Sequence, residues 1–235
     1  MHYRIRSSRQ KAFMVLRWAA LGMTVATGAS GCSQNTAEEY GPRISASKIC
    51  DRTLDENGIS ALRRLGGTDD FNESTGITDT GESKKFSMPR AMAHLHDDNA
   101  QLSTCTVYTA DNKSGAPLVQ LDFSASESYP SRSVAEDEDP RGLLIFYPIG
   151  VYASTKADNS TSLYFRCTTK GAKGSTAYIR AGVFSVGNQL KGNSTSKDRM
   201  TILNSVSRRL AAEAGCADEA RLPAKVPAPE VPGAR

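Results

Sequence analysis

Ser162-Leu163-Tyr164-Phe165-Arg166-Cys167-Thr168-Thr169 and Thr176-Ala177-Tyr178-Ile179-Arg180-Ala181-Gly182-Val183-Phe184-Ser185-Val186 decide the fold class. Apolar and polar residues alternate with a period of two, the signature of a strand with one dry and one wet face. Leu163, Phe165 and Cys167 face one way, and Tyr164, Arg166 and Thr168 the other. The second stretch repeats this, with Ala177, Ile179, Ala181 and Val183 set against Tyr178 and Arg180. Lys170-Gly171-Ala172-Lys173-Gly174 between them suits a hairpin loop. Tyr and Arg are typical of binding hot spots. Tyr164, Arg166, Tyr178 and Arg180 are therefore the candidate interaction face, although both residue types also sit well on a solvated sheet.

Leu102–Thr109 and 117–124 form a second predicted hairpin, around Asp111-Asn112-Lys113-Ser114-Gly115. Residues 142–154 (GLLIFYPIGVYAS) are the most apolar stretch beyond the leader. They are too few to span a membrane as a helix, which takes ~20 residues. Pro148 and Gly150 argue against a helix, so the expectation is one buried strand kinked at Pro148. Thr53-Leu54-Asp55-Glu56 reads as a capping box opening a helix along Leu54, Ile59, Leu62 and Leu65, ended by Gly66-Gly67, with Arg63 and Arg64 toward solvent. Residues 194–215 are the best helix, with Ile202, Leu203, Val206 and Leu210 on one side. A short helix is expected after Pro89. The polar stretches 68–85 and 125–141 read as long loops, the first disordered and the second carrying a solvated acidic run, Glu136 to Asp139. The predicted fold is thus α+β: an antiparallel sheet of about five strands with two helices packed on one face, disulfide-bonded.

The formal charge of +4 belongs mainly to the first 31 residues, which hold Arg4, Arg6, Arg9, Lys11 and Arg17 and no acid. Without them 24 basic residues face 25 acidic ones, so no electrostatic footprint for nucleic acid remains. Those residues have the form of a secretory leader: a basic region, then the apolar run Trp18 to Ala29. Without an Arg-Arg pair there, the general secretory route is expected. The run ends in Thr27-Gly28-Ala29-Ser30-Gly31-Cys32, which resembles a bacterial lipobox, with Ala29 where that pattern usually has Leu. The resemblance implies cleavage before Cys32 and a diacylglycerol with palmitate-type chains on its sulfur, giving a lipoprotein on the outer face of the cell membrane. An ordinary leader cut after Ala29 or Gly31 is the alternative.

Domain bounds follow: signal peptide 1–31, lipidated Cys32 and flexible tether to 48, one α+β extracytoplasmic domain over 49–217, and a Pro-rich disordered tail over 218–235. Cys50, Cys105, Cys167 and Cys216 form an even set in an exported chain and predict two disulfides. Three connectivities are open. Cys50–Cys105 with Cys167–Cys216 is favoured, and Cys50–Cys216 with Cys105–Cys167 is its main rival. Taken with the lipobox, the Cys50-Asp51-Arg52-Thr53-Leu54 helix start, Ala61-Leu62-Arg63-Arg64-Leu65-Gly66-Gly67 and the cysteine closing the last helix, the chain resembles small exported lipoproteins of actinobacteria. That resemblance implies a location and a disulfide-bonded domain, and no catalytic residue.

Motifs for chemistry are sparse. Residues 187–194 nearly match a phosphate-binding loop, but Asn193 stands where the lysine belongs. Ser194-Thr195-Ser196-Lys197 is an S-x-x-K without its partner motifs. His94-Leu95-His96-Asp97-Asp98 is the one His/Asp cluster, and on a strand its histidines would share a face. The sequence therefore predicts no catalytic residue, no metal site, no cofactor and no nucleic acid. It predicts a non-enzymatic binding or envelope-associated domain whose partner is an envelope protein, peptide or small ligand. The alternatives are an envelope enzyme built around His94 and His96, and a purely structural wall-associated protein.

Overall fold

The computed structural model describes residues 40–230 except Thr80, Asn99, Ala157, Asp158, Gly192 and Asn193. The leader, Cys32 and residues 231–235 lie outside the described residues. The two long alternating stretches become β7 (Ser160–Gly171) and β8 (Gly174–Phe184), a hairpin whose inner residues Leu163, Phe165, Cys167, Ile179 and Ala181 are buried. Around them is one antiparallel sheet of eight strands. The others are β1 (Ile44–Ser45), β2 (Asp70–Glu73), β3 (Cys105–Thr109), β4 (Val119–Ser126), β5 (Leu144–Phe146) and β6 (Tyr152–Lys156). Their spatial order is β1-β2-β3-β4-β8-β7-β6-β5. The chain meanders inward from one edge to β4, crosses to the far edge, and meanders back until β8 lies against β4.

The expectation of about five strands and two helices is therefore corrected. β1 has only two residues, too few for any periodicity to show. β2 lies inside the stretch read as a disordered loop, because Glu73, an acid, takes an inward position beside Phe71 and hides the alternation. The apolar run 142–154 is two strands, not one kinked strand: β5 and β6 pair in register Phe146↔Ser154, with Pro148 and Gly150 in the turn. Five α-helices occur among the described residues: α1 (Glu56–Gly66), α2 (Met88–Ala93), α3 (Arg132–Asp137), α4 (Ser196–Glu213) and α5 (Ala217–Ala220). α3 occupies part of the second predicted loop.

α4 lies against β6, β7 and β8 and beside α1, so Leu62, Leu65, Met200, Leu203, Val206 and Leu210 complete one core over the inner face. The two helices are joined at both ends. Asp55, not Thr53, caps α1 by accepting from the Gly58 N–H, and it is tied to α4 through its own N–H to Ser205 Oγ and its carboxylate to Arg208. At the other end the Arg64 guanidinium donates twice to Asp198, which also closes the Thr195 capping box of α4. Arg64 is thus an inter-helix clamp, not only a solvated charge. Disulfides Cys50–Cys105 and Cys167–Cys216 join the inner faces of β3 and β7 to the segments preceding α1 and following α4.

Both ends of the described chain belong to the domain. Tyr40 bridges to Ser74 and the Gly41 N–H donates to the Glu73 carbonyl, so the expected tether is fixed to the sheet from residue 40 onward. Residues 221–230, expected to be part of a disordered tail, run across the surface. Val226 is buried, Asn204 donates to the Pro223 carbonyl, and the Glu230 N–H donates to the Phe146 carbonyl on the edge strand β5.

Ahead of α1, a 3-10 segment (Ala46–Arg52) breaks into three consecutive non-glycine residues in the left-handed region, with φ of 49° at Cys50, 59° at Asp51 and 58° at Arg52. L-residues adopt this conformation at a cost of about 1 kcal/mol or more each. Several bonds hold it. The Cys50 N–H donates to Glu73 Oε2, Thr53 donates to the Cys50 carbonyl, Asp51 accepts from the Met88 N–H, and Cys50 is disulfide-bonded. Glu73 is buried, and this desolvation raises its pKa against the opposing pull of the Cys50 and Phe86 N–H groups and Lys85.

Two predictions follow from this packing. In an isolated helix Gly58→Ala would stabilise by about 1 kcal/mol. Here the new Cβ would meet Ser205 at 2.8–2.9 Å. The substitution should instead destabilise by about 1–3 kcal/mol in urea unfolding. Glu73 holds its proton to higher pH in the folded chain than in the unfolded one. Stability should fall as pH rises through the ordinary glutamate range and level off above the raised native value. Glu73→Gln should flatten that slope in urea midpoints measured across a pH series.

Candidate functional site

The face of the sheet opposite α1 and α4 carries the four residues singled out by alternation. Register places Tyr164 directly beside Arg180, and Arg166 beside Tyr178. The four form a checkerboard of two tyrosines and two arginines across β7 and β8. Cys167 turns inward to its disulfide, which fixes Arg166 and Thr168 outward.

The structure extends this face with residues that alternation did not reveal. Tyr164 meets Tyr152 edge-to-face at 5.8 Å, and Tyr152 meets Phe146 at 5.9 Å. The Arg132 guanidinium lies over the Phe146 ring at 4.3 Å and pairs with Glu136 and Glu230. The result is an aromatic row across β7, β6 and β5, capped by a cation. Tyr129 contacts Tyr178 edge-to-face at 5.0 Å. Such contacts favour fixed ring orientations and so preorganise the surface. The signal for Tyr152 was the β5–β6 turn at Pro148-Ile149-Gly150, obscured once 142–154 was taken as a single strand.

Arg180 pairs with Asp122 Oδ2 at 2.5 Å. Asp122 reaches it by lying over Gly182: a Cβ there would stand 2.6 Å from Asp122 Oδ1. Gly182 is thus the space that lets an acid from β4 orient an arginine on β8. Arg166 borders an open cleft of about 890 Å³. The turn at Pro148–Val151 forms one wall and Asp218, Glu219 and Arg221 another. Glu219 accepts from the Thr168 N–H and hydroxyl, fastening α5 to β7. Gly150, at φ 62°, allows the turn to approach β7, since a Cβ would collide with the Tyr164 carbonyl. The arrangement offers guanidinium donors, phenol rings and carboxylates in one region, a chemistry of recognition.

The histidines are not brought into that region as a joint set. His94 Nδ1 bonds Asp97 Oδ2 at 2.6 Å. His96 packs over Gly171 and bonds Thr169 Oγ1 through Nε2. They follow the short α2 in a turn, not on a strand, so the shared face assumed for them does not exist. Among the described residues no group of three His, Cys, Asp or Glu side chains is placed to hold a metal ion. Cys50, Cys105, Cys167 and Cys216 are all disulfide-bonded, and Cys32 lies outside the described residues.

Alanine substitution of Asp122 and Arg180, singly and together, should give a coupling of about 1 kcal/mol or less, because both side chains are partly solvated. The same cycle built on Gly182→Ala should give no coupling, since the carboxylate can no longer lie across the strand. Compared with protein-family models, curated protein sequences and solved structures, the chain shows no match.

Proposed function

We propose that the chain is a non-enzymatic binding domain displayed on the outer face of the cell membrane by a lipid on Cys32. Its Tyr164/Arg166/Tyr178/Arg180 face and the cleft beside Arg166 meet an envelope protein or peptide. The observation that carries the reading is the disposition of the cysteines. All four cysteines of the described residues pair in two disulfides. Such pairing belongs to exported chains. It leaves Cys32, which follows Ala29-Ser30-Gly31, without a partner among them. A thiolate at that position is the nucleophile that lipid transfer requires.

The binding face supports the second half of the reading. Tyr152 and Tyr164 hold each other's rings and Asp122 holds Arg180, which lowers the ordering cost of binding at those positions.

Intact-mass measurement of the membrane-fraction protein, with and without reduction, tests the reading. The expected species begins at Cys32, carries a diacylglycerol, and gains the four hydrogens of two disulfides on reduction. An unacylated species beginning at Ser30 would overturn the anchor. Tyr164→Ala/Arg166→Ala should leave that mass pattern and the unfolding midpoint nearly unchanged while lowering partner recovery from solubilised membranes; equal recovery would remove this face from the proposal.

A further inference from the structure

On the β1–β2 side of the sheet, a second cleft of about 300 Å³ opens beside the left-handed turn. Lys48, Arg52 and Lys85 line it together with Asp51, Glu73 and Gly41. Its acids are engaged by backbone N–H groups: Asp51 Oδ2 accepts from the Met88 N–H and Glu73 Oε2 from the Cys50 N–H. Lys48, Arg52 and Lys85 are exposed, and none of them forms an ion pair among the described residues. What sets them apart is that all three line one cleft. Asp51 and Arg52, both in the left-handed region, line the cleft side by side, and Asp51 also accepts from the Met88 N–H. Strained backbone held by several bonds is a feature of sites more than of scaffolds.

This cleft lies a short way along the chain from Cys32. Gly41 forms part of its wall and is bonded to Glu73, and Cys32 stands only nine residues before Gly41. Nine residues reach at most about 30 Å even when fully extended. That is less than the width of a folded domain of this size. A lipid on Cys32 would therefore hold Gly41 within about 30 Å of the bilayer surface.

We propose that the Lys48/Arg52/Lys85 cleft binds the phosphate of an anionic lipid headgroup in the membrane that holds the Cys32 anchor. The inference rests on that anchor. Cations close to an anionic bilayer are drawn to it, and a guanidinium flanked by two ammonium groups suits a phosphate dianion or diester.

The test uses the acylated chain in vesicles of phosphatidylcholine alone or with phosphatidylglycerol added. Acetylation of each lysine is followed by mass spectrometry, with Lys170 and Lys197 as references. Labelling of Lys48 and Lys85 should slow by about fivefold in the anionic vesicles while the references change little, and Arg52→Gln should reduce that protection. Equal labelling of Lys48 and Lys85 in both vesicles would overturn the proposal. So would equal protection by inorganic phosphate in neutral vesicles, which would mark a site for a free anion, and so would uniform slowing of every lysine. Flotation with the neutral vesicles reads the anchor separately. A chain that floats yet shows no protection loses only the headgroup site, whereas one that does not float loses the anchor and the site together.

Discussion

The seven-residue ladder between β4 and β8 is the seam on which this domain depends. It pairs Gln120 through Ser126 with Phe184 through Tyr178 and is the place where the first four strands meet the last four. Leu121, Phe123, Val183 and Ala181 point inward from it and are almost fully buried. Its outward side brings Asp122 opposite Gly182 and next to Arg180. One ladder therefore supplies both the centre of the core and the charge pair that orders the open face. It closes late in the chain, because β8 must return past β5, β6 and β7 before it can meet β4. Pairings of such separation are slow to form. Neither disulfide crosses the seam, which is held by its ladder of hydrogen bonds and by packing.

The two faces of the sheet have different tasks because the helices occupy only one. α1 and α4 are clamped by Asp55–Arg208 at one end and Arg64–Asp198 at the other, and their apolar sides leave the inner face dry. The outer face keeps its phenols and guanidiniums at the surface, with the connection from β4 to β5 touching it through Tyr129 and Arg132. A side chain on that face can change without opening a cavity in the core. This separation suits a domain whose contacts are made by surface chemistry. The basic cleft lies apart from this face, at the opposite edge of the sheet.

Much of the hairpin architecture was legible in the sequence. The period-two pattern of 162–169 and 176–186, the turn chemistry at Asp111–Gly115 and the apolar spacing within 194–215 all correspond to elements of the structure, with bounds that differ by a few residues. What was missed had a physical cause in each case. Glu73 is an acid at an inward strand position, sustained by a raised pKa and the Cys50 N–H, and no hydropathy pattern encodes that. Val226 is one apolar residue in a Pro-rich tail, and it is buried because Asn204 and the edge of β5 hold the flanking backbone. Gly58 has no side chain to enter a hydropathy pattern, yet it is the place where α1 approaches Ser205.

By itself the sequence determined which residues alternate, where turns can form and which cysteines are available to pair, because these depend on neighbours along the chain. It also carried the Ala29-Ser30-Gly31-Cys32 pattern, whose resemblance to a lipobox lies in local residue order alone. Only the tertiary structure decided the eight-strand order, the pairing of Cys50 with Cys105 and of Cys167 with Cys216, and the union of Tyr152 with Tyr164 and of Asp122 with Arg180. Those contacts join residues 12 to 58 positions apart, counting the two side-chain pairs, and exist only once strand register is set. Register in turn is fixed by burying one face of the sheet, since a slip of one residue would carry Leu163 and Phe165 into water and Tyr164 and Arg166 into the core.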